Sequence, residues 1–404
     1  MRTYRELFSL REFRVLFVTT CLTVGSGSVA SLALGTLTFA ATGSPVLTAL
    51  AMFGAPLMRI VGQSLFGSGS DLVRPRTALL VVGATTTVTY LLQAVPGLAW
   101  WWRLALIAVG PLVTSALGGS MMALVSDIVP PGGFVLGRAT INIAVGGMQI
   151  VGYGVAGLLL LSFTTTELFL GAAAALLVGL VLLRLGLSDH PPREVGASLL
   201  RRSREVNRAL LGSRVVRPVY LTLWLPNGLI VGCEALFVPY AGDQAGYLFA
   251  VTAAGMLLGD VVVGRFVPTA VRDRLIGPLR FLLAVPYLGF LLVPSLPYAA
   301  LLGFVASAGY AASLPLQERL LAHTDPGMRG HVFGLQSTGL MTGQAVGALL
   351  GGATATLLGV GQTAAADAIG VMAAASVVVS VLLVPGLRRS RLAEPSEPSS
   401  GRTV

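Results

Sequence analysis

Twelve long apolar runs separated by short polar gaps cover almost the whole chain. A hydrocarbon core about 30 Å thick takes roughly 20 helical residues to cross. The pattern predicts helices near 15–40, 45–66, 77–95, 98–125, 137–162, 167–187, 218–241, 245–267, 277–296, 298–321, 332–358 and 363–386. Short Pro/Gly turns such as Ala94-Val95-Pro96-Gly97 and Leu358-Gly359-Val360-Gly361 close alternate gaps and leave no room there for a domain. The remaining gaps carry arginine. All 27 basic residues are arginine, and setting aside Arg59 and Arg103 leaves 25 at the two termini or in those gaps. Basic loops stay cytoplasmic, so the pattern predicts an inner-membrane protein with both termini in the cytoplasm.

The segment from Ser188 to Arg217 is the one long polar stretch before the C-terminal tail. It divides the chain into a six-helix half (1–187), a basic cytoplasmic linker (188–217), a second six-helix half (218–387) and a polar, proline-containing tail (388–404) expected to be disordered. Within the linker, Leu199 to Leu211 reads either as a basic amphipathic helix on the inner leaflet, with Leu199, Leu200, Val206, Leu210 and Leu211 partly facing lipid, or as a solvated connection. The halves resemble each other. Asp127-Ile-Val-Pro leads to Val135-Leu136-Gly137 before helix five, and Asp325-Pro-Gly leads to Val332-Phe333-Gly334 before helix eleven. Gly152-Tyr-Gly-Val-Ala-Gly157 is matched by Gly347-Ala-Leu-Leu-Gly351-Gly352. The predicted fold class is therefore an all-α polytopic membrane protein of twelve spans in two six-helix pseudo-repeats, an architecture with a substrate path between the repeats.

Composition supports lipid as the solvent. With 54% hydrophobic and 11% charged residues and a mean hydropathy of +0.82, no soluble core of this length could hide so much apolar side chain. A net charge of +10 would suggest nucleic acid in a soluble protein, but here the arginines are spread over loops and face anionic lipid headgroups. The first run is longer than a signal-peptide core and is expected to stay as an anchor. Cys21 and Cys233 lie inside apolar runs, as small hydrophobes rather than a disulfide framework. A Walker-type phosphate loop needs lysine, and the chain has none. His190, His323 and His331 lie outside the runs without zinc-ligand spacing, and no serine or cysteine nucleophile sits beside a histidine within a run. Enzymatic activity, metal, cofactor and nucleic-acid partner are not expected, and a monomer is.

The chemistry is carried by the few polar groups at membrane depth. Arg59 lies about two thirds of the way through helix two, where a charge costs at least ~2.5 kcal/mol and must face protein or water. Asp260 lies at matching depth in helix eight. Two readings stand for it: a cavity group that serves Arg59 as counter-ion in one state, or a helix-end carboxylate paired with Arg265. Glu234 follows Asn227 by seven residues and Trp224 by ten, so the three share a face of helix seven. Desolvation favours the neutral form of a carboxyl group, and Glu234 is the first candidate for proton coupling, with a structural hydrogen bond as the alternative. Asn142, Gln149 and Tyr153 share a face of helix five that Arg138 continues, helix ten offers Tyr310 and Gln317, and helix eleven offers Gln336 and Gln344. These read as substrate contacts or as interhelical glue. Gly152-x-Gly154-x-x-Gly157 matches a dinucleotide fingerprint by letter but lies in an apolar helix, so it predicts close packing. Gly343-x-x-x-Gly347-x-x-x-Gly351 is expected to let helices of the two halves approach and slide. Trp100, Trp101 and Trp102 mark an interface at which Arg103 is expected to snorkel outward.

Gly67-Ser-Gly-Ser-Asp71-Leu-Val-Arg74-Pro-Arg76 resembles the loop signature of the major facilitator superfamily, and the resemblance extends over nearly the whole chain. Glu234-Ala-Leu-Phe-Val-Pro239-Tyr240-Ala241 and Arg329-Gly-His-Val-Phe-Gly334-Leu are similar to actinobacterial members of its drug-exporter branch. The resemblance implies a secondary transporter that exports a small amphipathic molecule in exchange for protons, in the setting of antibiotic resistance. It also implies a cytoplasmic gate in which Gly67, Asp71, Arg74 and Arg76 latch onto the start of helix eleven around Arg329 and Gly330. The bland reading of Asp71 is a solvated turn aspartate. Leu72 stands where the loop signature usually has arginine, and Tyr153 and Ala348 stand where the antiporter signature has proline.

Overall fold

The computed structural model describes residues 4–66, 73–117, 120–130, 133–189, 197–324, 329–359 and 361–390, and among them the chain forms helices and turns with no strand. The first half comprises α1 (Tyr4–Ser9), α2 (Arg11–Thr42), α3 (Pro45–Phe53), α4 (Ala55–Phe66), α5 (Pro75–Gln93), α6 (Trp100–Leu117), α7 (Ser120–Ile128), α8 (Phe134–Leu160) and α9 (Thr165–Gly186). A linker helix, α10 (Ala197–Gly212), precedes α11 (Val216–Glu234), α12 (Phe237–Ala241), α13 (Ala245–Val261), α14 (Thr269–Ala284), α15 (Leu296–Ala308), α16 (Ser313–Ala322), α17 (Arg329–Leu358) and α18 (Gln362–Arg389). Among the described residues seven helical stretches are long and apolar enough to cross a membrane, or eight if α3 and α4 form one span bent by 63°. One of the seven, Val216–Phe266, runs for 51 residues, more than twice what one crossing takes. It turns at Gly242, whose φ of 54° suits glycine.

Contacts between distant segments define two ends of the bundle. At the end that carries the linker, the Glu12 carboxylate accepts the Ser188 amide at 2.7 Å, Arg74 pairs with Asp189, and Arg76 donates to the Arg184 carbonyl. In the second half the dipeptides Arg272-Asp273 and Glu318-Arg319 are cross-paired between α14 and α16. Arg272 meets Glu318 at 2.8 Å, and the buried Arg319 meets Asp273 while donating to the Leu387 carbonyl at 3.0 Å. Three helix ends are thereby tied together. The opposite end is made of tight turns at Gly43, Gly97, Gly242 and Gly359. There Thr164 and Glu167 form a reciprocal capping box at the start of α9.

Glycines decide which helices touch. In α8, Gly152 abuts Ser28 and Gly25 of α2, Gly154 faces Ala253, and Gly157 meets the Gly246 carbonyl of α13. That stretch is a packing ridge, as its apolar surroundings predict. Gly343, Gly347 and Gly351 behave differently from expectation: they pack on Gly228 and Gly232 of α11, in their own half. One contact of α17 with the first half is made by Gly352, which lies against Pro45 and Val46. The helical face of glycines follows from spacing, but which neighbour occupies it depends on how the helices are arranged around it.

Two further expectations are corrected. Arg103 does not snorkel outward. It is buried, and its guanidinium donates to the carbonyls of Gln93, Val95 (3.1 Å) and Leu98 (3.1 Å), satisfying the C-terminal end of α5. The linker does form a helix, but Leu210 is buried in a cluster with Val216, Val219, Tyr220, Leu320 and Val332, with Val206 and Leu211 packed against it. Leu210 thereby covers the linker end of the second half, Val206 and Leu211 remain partly exposed, and the side chains of Leu199 and Leu200 lie outside the described residues.

A Cβ on Gly347 would overlap the Gly228 carbonyl, whereas one on Gly146 would meet nothing within 4 Å. Gly347→Ala is therefore expected to destabilise the protein by about 1–3 kcal/mol. Melting in detergent micelles should show this loss, with Gly146→Ala indistinguishable from the parent.

Candidate functional site

Glu234 closes α11 just where the helix breaks at Ala235 and Leu236 before α12. Its side chain is half-buried, and the Tyr310 phenol donates to Oε1 at 3.3 Å. Tyr310 lies in the 3-10 turn Gly309–Ala312 that joins α15 to α16. Tyr287, in the 3-10 stretch Val285–Leu292, is fully buried and lies within electrostatic range of the same carboxylate, as do Cys233 and Tyr153. Of these groups Tyr310 bonds the acid directly, while the Cys233 thiol donates to the Leu229 and Ile369 carbonyls.

Tyr153 links this cluster to the first half. Its hydroxyl is 3.2 Å from Ser31 Oγ, which itself donates to the Met52 carbonyl at 2.5 Å. Its ring is stacked between Phe53 of α3 (centroids 6.1 Å, planes 27° apart) and Phe249 of α13 (5.9 Å, 21°). The stack crosses from one half to the other, close to the turn end, where Gly157 and Gly246 bring α8 against α13 and Gly352 brings α17 against α3. Towards the linker end, Arg59 on α4 is exposed, and among the described residues its guanidinium reaches Met341 of α17, at 4.0 Å.

The remaining sequence candidates divide by environment. Arg59 and Asp260 do not pair in this conformation, nor does Asp260 pair with Arg265. Asp260 Oδ1 is buried with no hydrogen-bond partner among the described residues, at the point where α13 passes into the π-helical turn Val262–Phe266. Trp224 lays its indole over Gly339 and donates to the Gln336 carbonyl at 3.1 Å, so these two residues fasten α11 to α17. Asn227 and Gln336 are buried, Tyr310 nearly so, and Gln149, Gln317 and Gln344 are half-buried. Arg74 bonds to Asp189 at the start of the linker, and Arg76 to the Arg184 carbonyl of the first half. Gly67 and Asp71, together with the side chains of Asn142, Arg329 and Gly330, lie outside the described residues.

Sequence reasoning missed the seam between the halves. Arg138 stood on the polar face of helix five, yet its guanidinium lies over Gly334 of α17, where an added Cβ would sit 2.8 Å from Nη2. Ser31, Phe53, Phe249 and Tyr287 were not singled out at all. For Phe53 a signal was present: Gly54-Ala55-Pro56 breaks the helix directly after it and turns α3 towards the seam.

Several solved structures share this architecture. A POT family transporter in complex with a thioalcohol conjugated peptide aligns with a TM-score of 0.67 and 14% identity, over 94% of this chain and 96% of that one. A bacterial homolog of the human lysosomal transporter Spinster, inward-facing and unoccupied, aligns with a TM-score of 0.66 and 15% identity, over 98% and 100% of the two chains. A POT family transporter in complex with 5-aminolevulinic acid gives 0.67 and 14%, over 94% and 96%. No protein-family model matches this chain, and no curated protein matches it. At such identities the likeness establishes the fold. The chain is a multi-span helical membrane protein, and its fold is the one shared by these POT family and Spinster-type structures.

Stacked aromatic pairs contribute about 0.5–1.5 kcal/mol beyond area burial. Phe53→Ala and Tyr153→Leu are therefore expected to couple by that amount in a double-mutant cycle of thermal stability, and additive effects would show that the stack carries no energy of its own.

Proposed function

We propose that this protein is a twelve-span secondary transporter of the cytoplasmic membrane, with both termini in the cytoplasm. It exports a small amphipathic organic molecule, a drug or secondary metabolite, in exchange for protons. The observation that carries this reading is Glu234, a carboxylate hydrogen-bonded to Tyr310 beside an aromatic stack shared by the two halves. A proton drives transport only if it binds two conformations unequally. An acid whose phenol and tyrosine neighbours come from different helices meets that condition, because rocking of the halves changes its surroundings.

In this scheme Glu234 carries the proton. Arg59 and Asp260 set the field of the pathway, and the unpartnered Asp260 Oδ1 awaits a donor in another state. Asn142, Gln149, Tyr153, Trp224, Asn227, Tyr310, Gln317, Gln336 and Gln344 form the polar lining for substrate. Asp71 with Arg74 and Arg76 latches the inner gate against Arg329 and Gly330. The exposed Arg59 and the close-packed turn end support an inward-open state. A second reading, coupled uptake on the same fold, is favoured by Tyr153 and Ala348, which replace the prolines of the antiporter signature.

Inside-out vesicles and a panel of fluorescent amphiphiles test both readings. With an acid lumen, antiport export accumulates substrate in the lumen and symport uptake depletes it, so the sign separates them. Glu234→Gln is expected to reduce gradient-driven transport to the level of empty vesicles. Undiminished coupled transport in that variant would remove Glu234 from the mechanism.

A further inference from the structure

The outer side of the first half carries a groove that the transport scheme does not use. α2 packs against both α8 and α9, while those two helices diverge and scarcely meet. The slot between them encloses about 520 Å³, within the range of about 300–1,000 Å³ typical of small-molecule sites. Small residues make the space: Cys21, Gly25 and Ser26 on α2, and Gly171, Ala172 and Ala175 on α9. A Cβ on Gly171 would have nothing within 4 Å. The floor from Val18 to Val29 is about 16 Å long at the helical rise; it runs from the linker-end half of α2 towards the turn end, where Glu167 starts α9.

The walls are apolar, and the one charged lining residue is Glu167, at the turn end beside Phe163. Its carboxylate is held in place by one oxygen. Oε2 accepts the Thr164 amide at 2.7 Å and the Thr164 hydroxyl at 2.8 Å, and Oε1 has no partner among the described residues. Val18, Phe163 and Leu170 around the slot are 43%, 49% and 47% exposed, so the groove opens towards lipid rather than towards the other half. An occupant must therefore come from the bilayer, have an apolar tail at least as long as this floor, and bring a cationic donor to Glu167.

We propose that this groove binds one acyl chain of an aminophospholipid, with the ammonium headgroup on Glu167 Oε1. An anionic lipid of equal chain length fits the slot but meets like charge at its mouth. The charged mouth of this site lies at the turn end, away from the arginine-rich loops, and the site stands or falls separately from the transport reading.

Cys21 on the floor reports occupancy, because the other cysteine, Cys233, is fully buried. The test uses the full chain in nanodiscs of phosphatidylglycerol alone or mixed with phosphatidylethanolamine of the same acyl composition. N-ethylmaleimide alkylation of Cys21 is followed by mass spectrometry. Phosphatidylethanolamine is expected to slow alkylation severalfold, and Glu167→Gln, whose amide oxygen can still accept from Thr164, is expected to erase that difference. Gly171→Leu, which fills the slot, should slow alkylation in both lipids and remove the lipid dependence. Melting curves verify that each variant is folded. Equal alkylation in the two lipids, or a phosphatidylethanolamine effect that survives in Glu167→Gln, overturns the proposal.

Discussion

Hydrocarbon offers no partner to a backbone amide or carbonyl, and this one constraint organises the molecule. Each spanning segment must satisfy its own hydrogen bonds, so helices are the rule and departures from them are confined to places buried in protein or lining a path. The departures here coincide with the polar chemistry. Phe53 stands at the break before Gly54, Glu234 at the break before α12, and Asp260 at the π-helical turn, while Tyr287 and Tyr310 sit in 3-10 stretches. A regular helix buries its amides and carbonyls in its own ladder. Where the ladder is interrupted, the backbone bends, and a side chain can be aimed across the bundle.

The halves are held by two kinds of force with different jobs. Within a half, charge-assisted bonds at the linker end tie helix termini together, as Arg319 does for α14, α16 and α18. Between halves, contact is made by glycine backbones and aromatic faces, at Gly157 with Gly246, Gly352 with Pro45, and Tyr153 between Phe53 and Phe249. These contacts lack directional bonds, and they are joined towards the linker end by two guanidiniums of the first half, Arg138 over Gly334 and Arg59 against Met341 of α17. The lateral groove of α2, α8 and α9 lies wholly within one half, and so would move with it as a body.

Much of the fold was legible in the chain. The apolar runs predicted the positions of most long helices to within a few residues, although α14 begins at Thr269, ahead of the predicted 277, and the runs 45–66 and 218–241 are each broken in two. The small-residue ridge in α8 predicted tight packing, and the linker helix was foreseen as one of two readings. The site was legible only in part. Glu234 was singled out as a candidate because a carboxylate in an apolar run is costly, and Tyr153 and Tyr310 because polar groups recur at helical spacing. Phe53 and Phe249 were invisible, since an aromatic residue in a hydrophobic run carries no signal of its own. Arg103 was misread because proximity to tryptophans suggested an interface, while the carbonyls it actually satisfies come from the preceding turn.

The amino-acid sequence by itself determined that the chain lives in lipid, where its helices lie, and which few polar groups must be accounted for, because burial energies and helical periodicity are local properties. The tertiary structure alone decided which helix each glycine face meets, that Gly347 packs on Gly228 within its half, that Arg59 and Asp260 stand apart in this conformation, and that Tyr153 bridges the seam. Those are properties of arrangement: a helix of fixed composition presents the same faces whatever surrounds it, and only the bundle determines what they touch.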